Sequence, residues 1–223
     1  MSVITAEAVT KSYRGRTLYR DVNFDVPEGT ITSITGPNGS GKSVLFRLIC
    51  GFTSPDKGTI SIAPKYMSAG RTFPERFGVL IDRPGYLAGK TGLQNLQYLA
   101  RIRGVIDDNK ITATMEQVGL DPALPQRVRH YSLGMKQKLA LAQALMEDPA
   151  VLVLDEPFNA LDADSSASIK DHLRLLNQSG VTIIFTSHNP LDVDELADRR
   201  LVIDGDQIRC AYSATDLTPK RLE

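Results

Sequence analysis

The 223-residue chain has only two cysteines, no surplus of either charge and no long apolar run. Cys50 and Cys210 lie far apart and outside any CxxC spacing, which fits reduced, buried thiols better than a metal site or a disulfide framework. The 26 basic residues are matched by 26 acidic residues, so the composition does not suggest a polyanion-binding scaffold. Apolar runs such as 151–154 end far short of the roughly 20 residues that cross a bilayer, and we expect no membrane span.

The N-terminal segment also lacks the pattern of a secretion signal. Residues 1–15 contain no apolar stretch behind a basic one, so we expect a cytoplasmic protein. The 42% hydrophobic content is that of a soluble globular chain, and its length suffices for one domain or for one domain of two lobes.

Short apolar runs alternate with helical patterns along the chain, which predicts an α/β fold. Residues 30–35, 151–154 and 181–185 are predicted strands, the last two in the middle of one sheet. Residues 44–49, which follow a glycine-rich loop, are predicted to form a buried helix.

The stretch 91–148 is mostly helical by pattern and is predicted to be a helical insertion. Two apolar faces are expected within it. The residues that should share them are Leu93, Leu96, Leu99 and Ile102 on one helix, and Leu139, Ala142 and Leu145 on another.

The glycine-rich loop between the first of these strands and its helix fits GxxxxGK[ST]. In this pattern glycines let the backbone curl so that successive N–H groups face phosphates. The residues predicted to bind ATP here are Gly36, Pro37, Asn38, Gly39, Ser40, Gly41, Lys42 and Ser43. Lys42 would neutralise the β- and γ-phosphates, and the Ser43 hydroxyl would bind Mg²⁺. A chance glycine-rich turn is the alternative, which the strand-loop-helix order disfavours.

Two carboxylates follow the apolar run 151–154, at the end of a strand where α/β sheets bind ligands. Asp155 would hold Mg²⁺, directly or through water, and Glu156 would polarise the water that attacks the γ-phosphate. The alternative is a solvated strand end before Pro157, which the phosphate loop upstream makes the weaker interpretation.

In their order along nearly the whole chain, these elements resemble the ATP-binding-cassette (ABC) family. Residues 132–137, SLGMKQ, lie upstream of the acidic pair, where the family has its LSGGQ signature. Asp162, in NALD, looks like part of the family's D-loop, and His188 looks like its switch histidine, although a core histidine is the alternative. Tyr13 stands where the family places an aromatic ring against adenine.

The resemblance implies a head-to-tail dimer, identical or of two similar subunits, with two ATP molecules between the copies. The signature residues that would contact the ATP of the facing subunit are Ser132, Leu133, Gly134 and Met135. Ser132 is also a good helix N-cap in its own right. His188 would contact the γ-phosphate and would act with Glu156 and Lys42 in catalysis.

The chain departs from the family pattern at three positions. Leu133 and Met135 replace a glycine and the glutamine of the signature, a form that resembles a branch of bacterial drug and peptide-antibiotic exporters. Asp82 stands at the position of the family's Q-loop glutamine. It is either a third candidate Mg²⁺ ligand or an ordinary loop aspartate.

We therefore predict an ABC-type P-loop NTPase in one domain, 1–223. Its mixed-sheet core lobe would comprise 1–81 and 150–223, with an antiparallel β edge over 3–27, and its helical lobe 82–149. We expect the protein to hydrolyse ATP with Mg²⁺ and so to drive a separate membrane permease. Export is favoured over import, and the protein would lie on the inner face of the cell membrane, bound to the permease.

Two alternatives stay open: a soluble ABC ATPase in cofactor assembly or cell-wall remodelling, and a non-catalytic module that closes on ATP. We expect no nucleic-acid partner, because excess basic charge and a long coiled-coil insertion are both missing. The permease is predicted to dock on residues 82–97, with Tyr86 as an exposed anchor.

Overall fold

The computed structural model describes residues 1–13, 15–68, 73–82 and 85–213. The chain divides into two units, and each is described by itself. The first unit comprises residues 1–75 and 182–223, and the second comprises 76–181. The lobe limits predicted from the sequence, 82 and 149, stay a prediction.

The first unit begins with an antiparallel sheet of three strands in the order β2-β1-β4. The strands are β1 (Ser2–Tyr13), β2 (Arg16–Pro27) and β4 (Lys57–Ile62). Ile4 of β1 lies opposite Val26 on one side and Ile62 on the other, and its side chain is fully buried. The predicted antiparallel edge over 3–27 is therefore confirmed.

A second, mixed group of strands in the first unit has the order β7-β3-β8-β9. The strands are β3 (Ile31–Thr35), β7 (Thr182–Phe185), β8 (Arg199–Asp204) and β9 (Gln207–Ser213), with helix α6 (Pro190–Leu196) between β7 and β8. Strand β3 runs parallel to β7 and β8, and β9 is antiparallel to β8. The buried Thr182 hydroxyl oxygen accepts a hydrogen bond from the Gly29 N–H at 2.9 Å, so a polar residue is satisfied within this core.

Helix α1 (Lys42–Ile49) follows the glycine-rich loop, as predicted, and buries Leu45, Phe46 and Ile49. Cys50 ends this helix, and its burial raises the pKa of its thiol to about 12. Cys210 on β9 is exposed, so the expectation that both thiols are buried is wrong for this one: β9 turns it outward beside Arg199.

The second unit pairs two parallel strands, β5 (Phe77–Leu80) and β6 (Val151–Leu154), and all four residues of β6 are buried. Its helices are α2 (Gly92–Arg103), α3 (Asp108–Gln117), α4 (Leu133–Leu145) and α5 (Ala163–Gln178). Helix α4 packs so closely on β5 that a Cβ added at Gly78 would lie 2.0 Å from the Ala144 carbonyl oxygen. Among the described residues, no helix is long and apolar enough to span a bilayer.

The predicted faces of the helical stretch are confirmed for α4 but not for α2. Leu139, Ala142 and Leu145 are buried, whereas Ile102 is 78% exposed. Helix α2 instead buries Asn95 beside Leu96. The Asn95 amide oxygen accepts from the Leu87 N–H at 2.8 Å, and its nitrogen donates to the carbonyls of Leu87 and Thr91. These bonds replace the hydrogen bonds that the Asn95 amide would make to water, so this polar side chain can be buried. The buried face of α2 therefore includes Asn95 and excludes Ile102.

Candidate nucleotide-binding site

The phosphate loop of the first unit curls as the GxxxxGK[ST] pattern predicts. Gly36, Gly39 and Gly41 have φ angles of 156°, 74° and 103°, which L side chains rarely adopt. The Ser40 N–H closes a turn onto the Pro37 carbonyl at 3.1 Å. No side chain in the described chain caps the start of α1, and the positive end of a helix suits a bound anion.

A close contact beneath the loop requires glycine at position 41. The Tyr19 hydroxyl donates a hydrogen bond to the Gly41 carbonyl at 2.6 Å, and a Cβ added at Gly41 would lie 2.6 Å from that hydroxyl oxygen. Tyr19 is fully buried, and this burial raises its pKa. The ring therefore supports the loop from below.

Two polar groups of the loop fit a bound phosphate. The Lys42 ammonium donates to the carbonyls of Gly36 at 2.8 Å and Pro37 at 3.2 Å, which holds the cation within the loop. The Ser40 hydroxyl is buried without a hydrogen-bond partner among the described residues. A phosphate oxygen would satisfy this group, and the curled backbone and the cation suit the same ligand.

His188 and Tyr13, also in the first unit, are both exposed. His188 lies in the loop after β7, so the alternative of a core histidine is wrong. The Asp192 carboxylate, 4% exposed, accepts hydrogen bonds from the Ser187 hydroxyl at 2.6 Å and the Asn189 amide at 3.3 Å. This buried acid, which the sequence reasoning missed, fixes the loop on both sides of His188. Tyr13 ends β1 with its side chain 50% exposed.

In the second unit, the structure brings the three predicted acidic residues around one cavity of about 560 Å³. Leu80 of β5 pairs with Leu154 of β6, so Asp82 and the pair Asp155 and Glu156 emerge at the same edge. The other residues lining the cavity are Tyr86, Leu133, Lys136, Gln137, Asn159 and Ala160.

No group of three or more His, Cys, Asp or Glu residues in the described ranges could hold a metal ion unaided. This donor set fits Mg²⁺ bound together with a nucleotide, because Mg²⁺ is usually held by one or two carboxylates plus phosphate and water oxygens. It does not fit a metal cage made of protein alone.

The backbone around this cavity is strained. Asp82, Glu156 and Ala160 have φ angles of 58°, 52° and 62°, in the left-handed region that residues with a Cβ avoid. Each such residue costs on the order of 1–3 kcal/mol, and such residues cluster at functional sites. Three of them line this one cavity, which favours a functional role for this edge of the sheet over a solvated strand end.

The signature residues surround a second cavity of the same unit, of about 590 Å³, at the start of α4. Ser132 is the N-cap of α4, as predicted, and its hydroxyl oxygen accepts from the Met135 N–H at 3.1 Å. Asp162 caps α5, and the Ser165 N–H and hydroxyl bound to its carboxylate hold its pKa below the usual range. Leu133 is 68% exposed beside them.

Tyr86 is not the exposed anchor that the sequence predicted. Its hydroxyl donates to the Lys136 carbonyl at 2.8 Å, and burial raises its pKa to about 12. The ring lines the acidic cavity and ties the segment after Asp82 to α4. Leu87, which is 51% exposed, is the apolar side chain that this segment offers to solvent.

Comparison with known proteins identifies a family. The family described as ABC transporter matches residues 19–159. An uncharacterized ABC transporter ATP-binding protein of Bacillus subtilis, YdbJ, is 32% identical over 223 residues, 98% of this chain and 72% of the relative. The bacitracin transport ATP-binding protein BcrA of Enterococcus faecalis is 35% identical over 198 residues, 88% of this chain and 64% of BcrA.

A solved structure shares the fold. The ATP-binding cassette MJ0796, in a dimeric post-hydrolysis state bound to ADP and Pi, superposes with a TM-score of 0.83 at 23% identity over 94% of this chain and 98% of that one. The match over residues 19–159 and the similarity to YdbJ lead to one assignment: the chain belongs to the ABC transporter family, as an ATP-binding subunit with ATPase activity.

Proposed function

We propose that this chain hydrolyses MgATP between two copies of itself, or of itself and a similar subunit, and that this reaction drives a separate permease that exports its substrate. The observation that carries the nucleotide assignment is the phosphate loop. Lys42 is held within the loop by backbone carbonyls, and the buried Ser40 hydroxyl, which has no hydrogen-bond partner among the described residues, could donate to a phosphate oxygen.

In this proposal the first unit binds the phosphates and the adenine ring of ATP. The N–H groups of Gly39 and Gly41 and the start of α1 face the phosphate oxygens, and Lys42 turns from its loop carbonyls to the β- and γ-phosphates. Tyr13 stacks on adenine through its exposed ring. His188 donates to a γ-phosphate oxygen from the loop that Asp192 fixes.

The second unit supplies the acidic groups. Asp155 and Asp82 are the residues of this unit that would hold Mg²⁺, which neutralises phosphate charge when bound. Glu156 accepts a proton from the attacking water, a general-base contribution typically worth 10²–10⁴-fold in rate. Its place on the lining of the acidic cavity supports this role.

The start of α4 serves the nucleotide of the other copy. The helix is 13 residues long, begins beside a cavity, and presents an exposed Leu133 there. The positive end of a helix of this length attracts an anion. Asp162, at the same cavity, belongs to this proposed contact between copies.

The permease would dock on α2 and the segment before it. Leu87 and Tyr98 are exposed apolar side chains here, and two cations lie beside Tyr98. The Lys90 ammonium and the Arg101 guanidinium lie 5.6 and 5.7 Å from the centre of the Tyr98 ring. No Asp or Glu occurs between Asp82 and Asp107. We infer that the docking segment of the permease combines apolar and acidic side chains and holds this subunit on the inner face of the membrane.

Export is supported by the SLGMKQ form of the signature and by the similarity to a subunit named for bacitracin transport. These similarities also favour a transport role over a soluble ATPase in assembly reactions.

Phosphate release by the purified protein tests the proposal. Lys42→Ala should abolish tight MgATP binding, whereas Glu156→Gln should keep binding and lower turnover by at least about 100-fold, because the amide keeps the shape and loses the base. The Glu156→Gln protein should also accumulate as an ATP-bound dimer on size exclusion. Normal turnover in Glu156→Gln would refute the assignment of the base, and normal binding in Lys42→Ala that of the loop.

A further inference from the structure

The start of α4 is joined to the turn after the acidic pair by two close contacts. The Gln137 side-chain nitrogen donates to the carbonyl oxygens of Glu156 at 3.0 Å and Pro157 at 2.9 Å. Both partners only accept hydrogen bonds, so the amide must present its NH₂ group to them. A Cβ added at Gly134 would lie 2.7 Å from the Ala160 carbonyl oxygen, so the helix and the turn touch there as well.

The turn needs such support because of its backbone. Glu156 and Ala160 both adopt a left-handed conformation that is unfavourable for residues with a Cβ. Without an external restraint, the backbone would relax toward a commoner conformation and redirect the Glu156 side chain. The two hydrogen bonds of one amide fix the peptide groups on either side of the Pro157 Cα and oppose this relaxation.

We propose that Gln137 is a positioning residue that acts through Glu156. It holds the backbone at 156 and 157 so that the Glu156 carboxylate points into the acidic cavity. This inference rests on the proposed function, in which Glu156 is the general base. Gln137 also lies five residues after Ser132, the N-cap of the same helix. The start of α4, which is proposed to bind the other copy's nucleotide, is therefore linked by the Gln137 side chain to Glu156, the proposed general base.

A substitution that keeps the size of Gln137 and removes its donor tests the link. Gln137→Met should lower kcat by about 10- to 100-fold, a part of the 10²–10⁴-fold that a general base contributes. KM and MgATP affinity should stay near the wild-type values, and the urea unfolding midpoint should fall only slightly, as the loss of two hydrogen bonds requires. Gln143→Met, on the same helix and outside the acidic cavity, is the matched control and should keep normal kcat.

Gln137→Glu adds a readout that a purely structural role would not give. A carboxylate at this position repels the two carbonyl oxygens, whereas a protonated carboxyl donates to one of them. The kcat of Gln137→Glu relative to that of wild type should therefore rise as pH falls, while the same ratio for Gln137→Met should stay flat. A flat ratio for Gln137→Glu would overturn the proposal.

The double variant of Gln137→Met and Glu156→Gln distinguishes a failure of the positioning role of Gln137 from a failure of Glu156 as the general base. Once the base is removed, Gln137→Met should cause no further loss in single-turnover hydrolysis. A further loss of tenfold or more would mean that Gln137 acts by another route. If Glu156→Gln is inactive while Gln137→Met has normal kcat, only the positioning role fails. If Glu156→Gln hydrolyses ATP normally, the proposed base fails, and the positioning role fails with it. A loss of kcat in Gln137→Met no larger than the unfolded fraction calculated from its unfolding midpoint would make Gln137 a residue of the fold instead.

Discussion

Replacing Gly41 by alanine should both destabilise the protein and weaken nucleotide binding. The new Cβ would lie 2.6 Å from the Tyr19 hydroxyl oxygen and 3.1 Å from its ring carbon, against a ring that is fully buried. Displacing a packed ring costs typically 1–3 kcal/mol. The φ angle of 103° adds about 1–2 kcal/mol for a residue with a Cβ. A weakened Tyr19 hydrogen bond adds about 1 kcal/mol. The expected loss of unfolding free energy is thus roughly 3–6 kcal/mol.

Urea unfolding and MgATP titration measure the two effects. Gly180→Ala is the matched control, because Gly180 has a φ of 99° and nothing within 4 Å of an added Cβ, so it reports the conformational cost alone. Tyr19→Phe removes the hydroxyl, and the double variant with Gly41→Ala should recover about 1–2 kcal/mol relative to the sum of the single changes. If Gly41→Ala costs no more than Gly180→Ala, or if the costs of Gly41→Ala and Tyr19→Phe are additive in the double variant, the contact with Tyr19 is not what requires glycine here.

Three further outcomes are expected. Asp82→Ala should raise the Mg²⁺ concentration for half-maximal ATPase activity and leave Mg²⁺-free nucleotide affinity nearly unchanged; an unchanged Mg²⁺ curve would make Asp82 an ordinary loop residue. Ser132→Arg should prevent ATP-driven dimerisation on size exclusion and preserve ATP binding by the monomer, and loss of monomer binding would contradict the role of the α4 start. Lys90→Glu combined with Arg101→Glu should reduce co-purification with the permease while basal ATPase stays within about threefold; unchanged recovery would place the docking surface elsewhere.

The parts of the fold that follow from local chemistry could be predicted from the sequence. Strand β6 was predictable because a short, β-branched apolar run that ends in a turn is typical of a strand buried on both faces, and the acidic pair after such a strand lies at a sheet edge. The loop was equally predictable, since its glycines and Lys42 stand at fixed spacing. In both cases the information lies within about eight residues of sequence.

The rest depends on contacts between distant residues. Asn95 is buried on α2 because backbone groups before the helix happen to satisfy its amide, which no hydrophobic periodicity encodes. Tyr86 was predicted to be exposed, but its hydroxyl bonds a carbonyl 50 residues away. Gln137 stood within a recognised motif without an assigned role, because its two acceptors lie 19 and 20 residues downstream.

The contrast between the two thiols gives the protein an internal reporter of helix opening. Cys210 is exposed and should react at once with a thiol reagent such as Ellman's reagent. Cys50, 1% exposed and with its pKa raised to about 12, can react only when the end of α1 opens. Since α1 begins at the phosphate loop, the slow phase of labelling measures how often the nucleotide-binding helix unfolds. Any ligand that stabilises the loop should slow that phase and leave the fast phase unchanged.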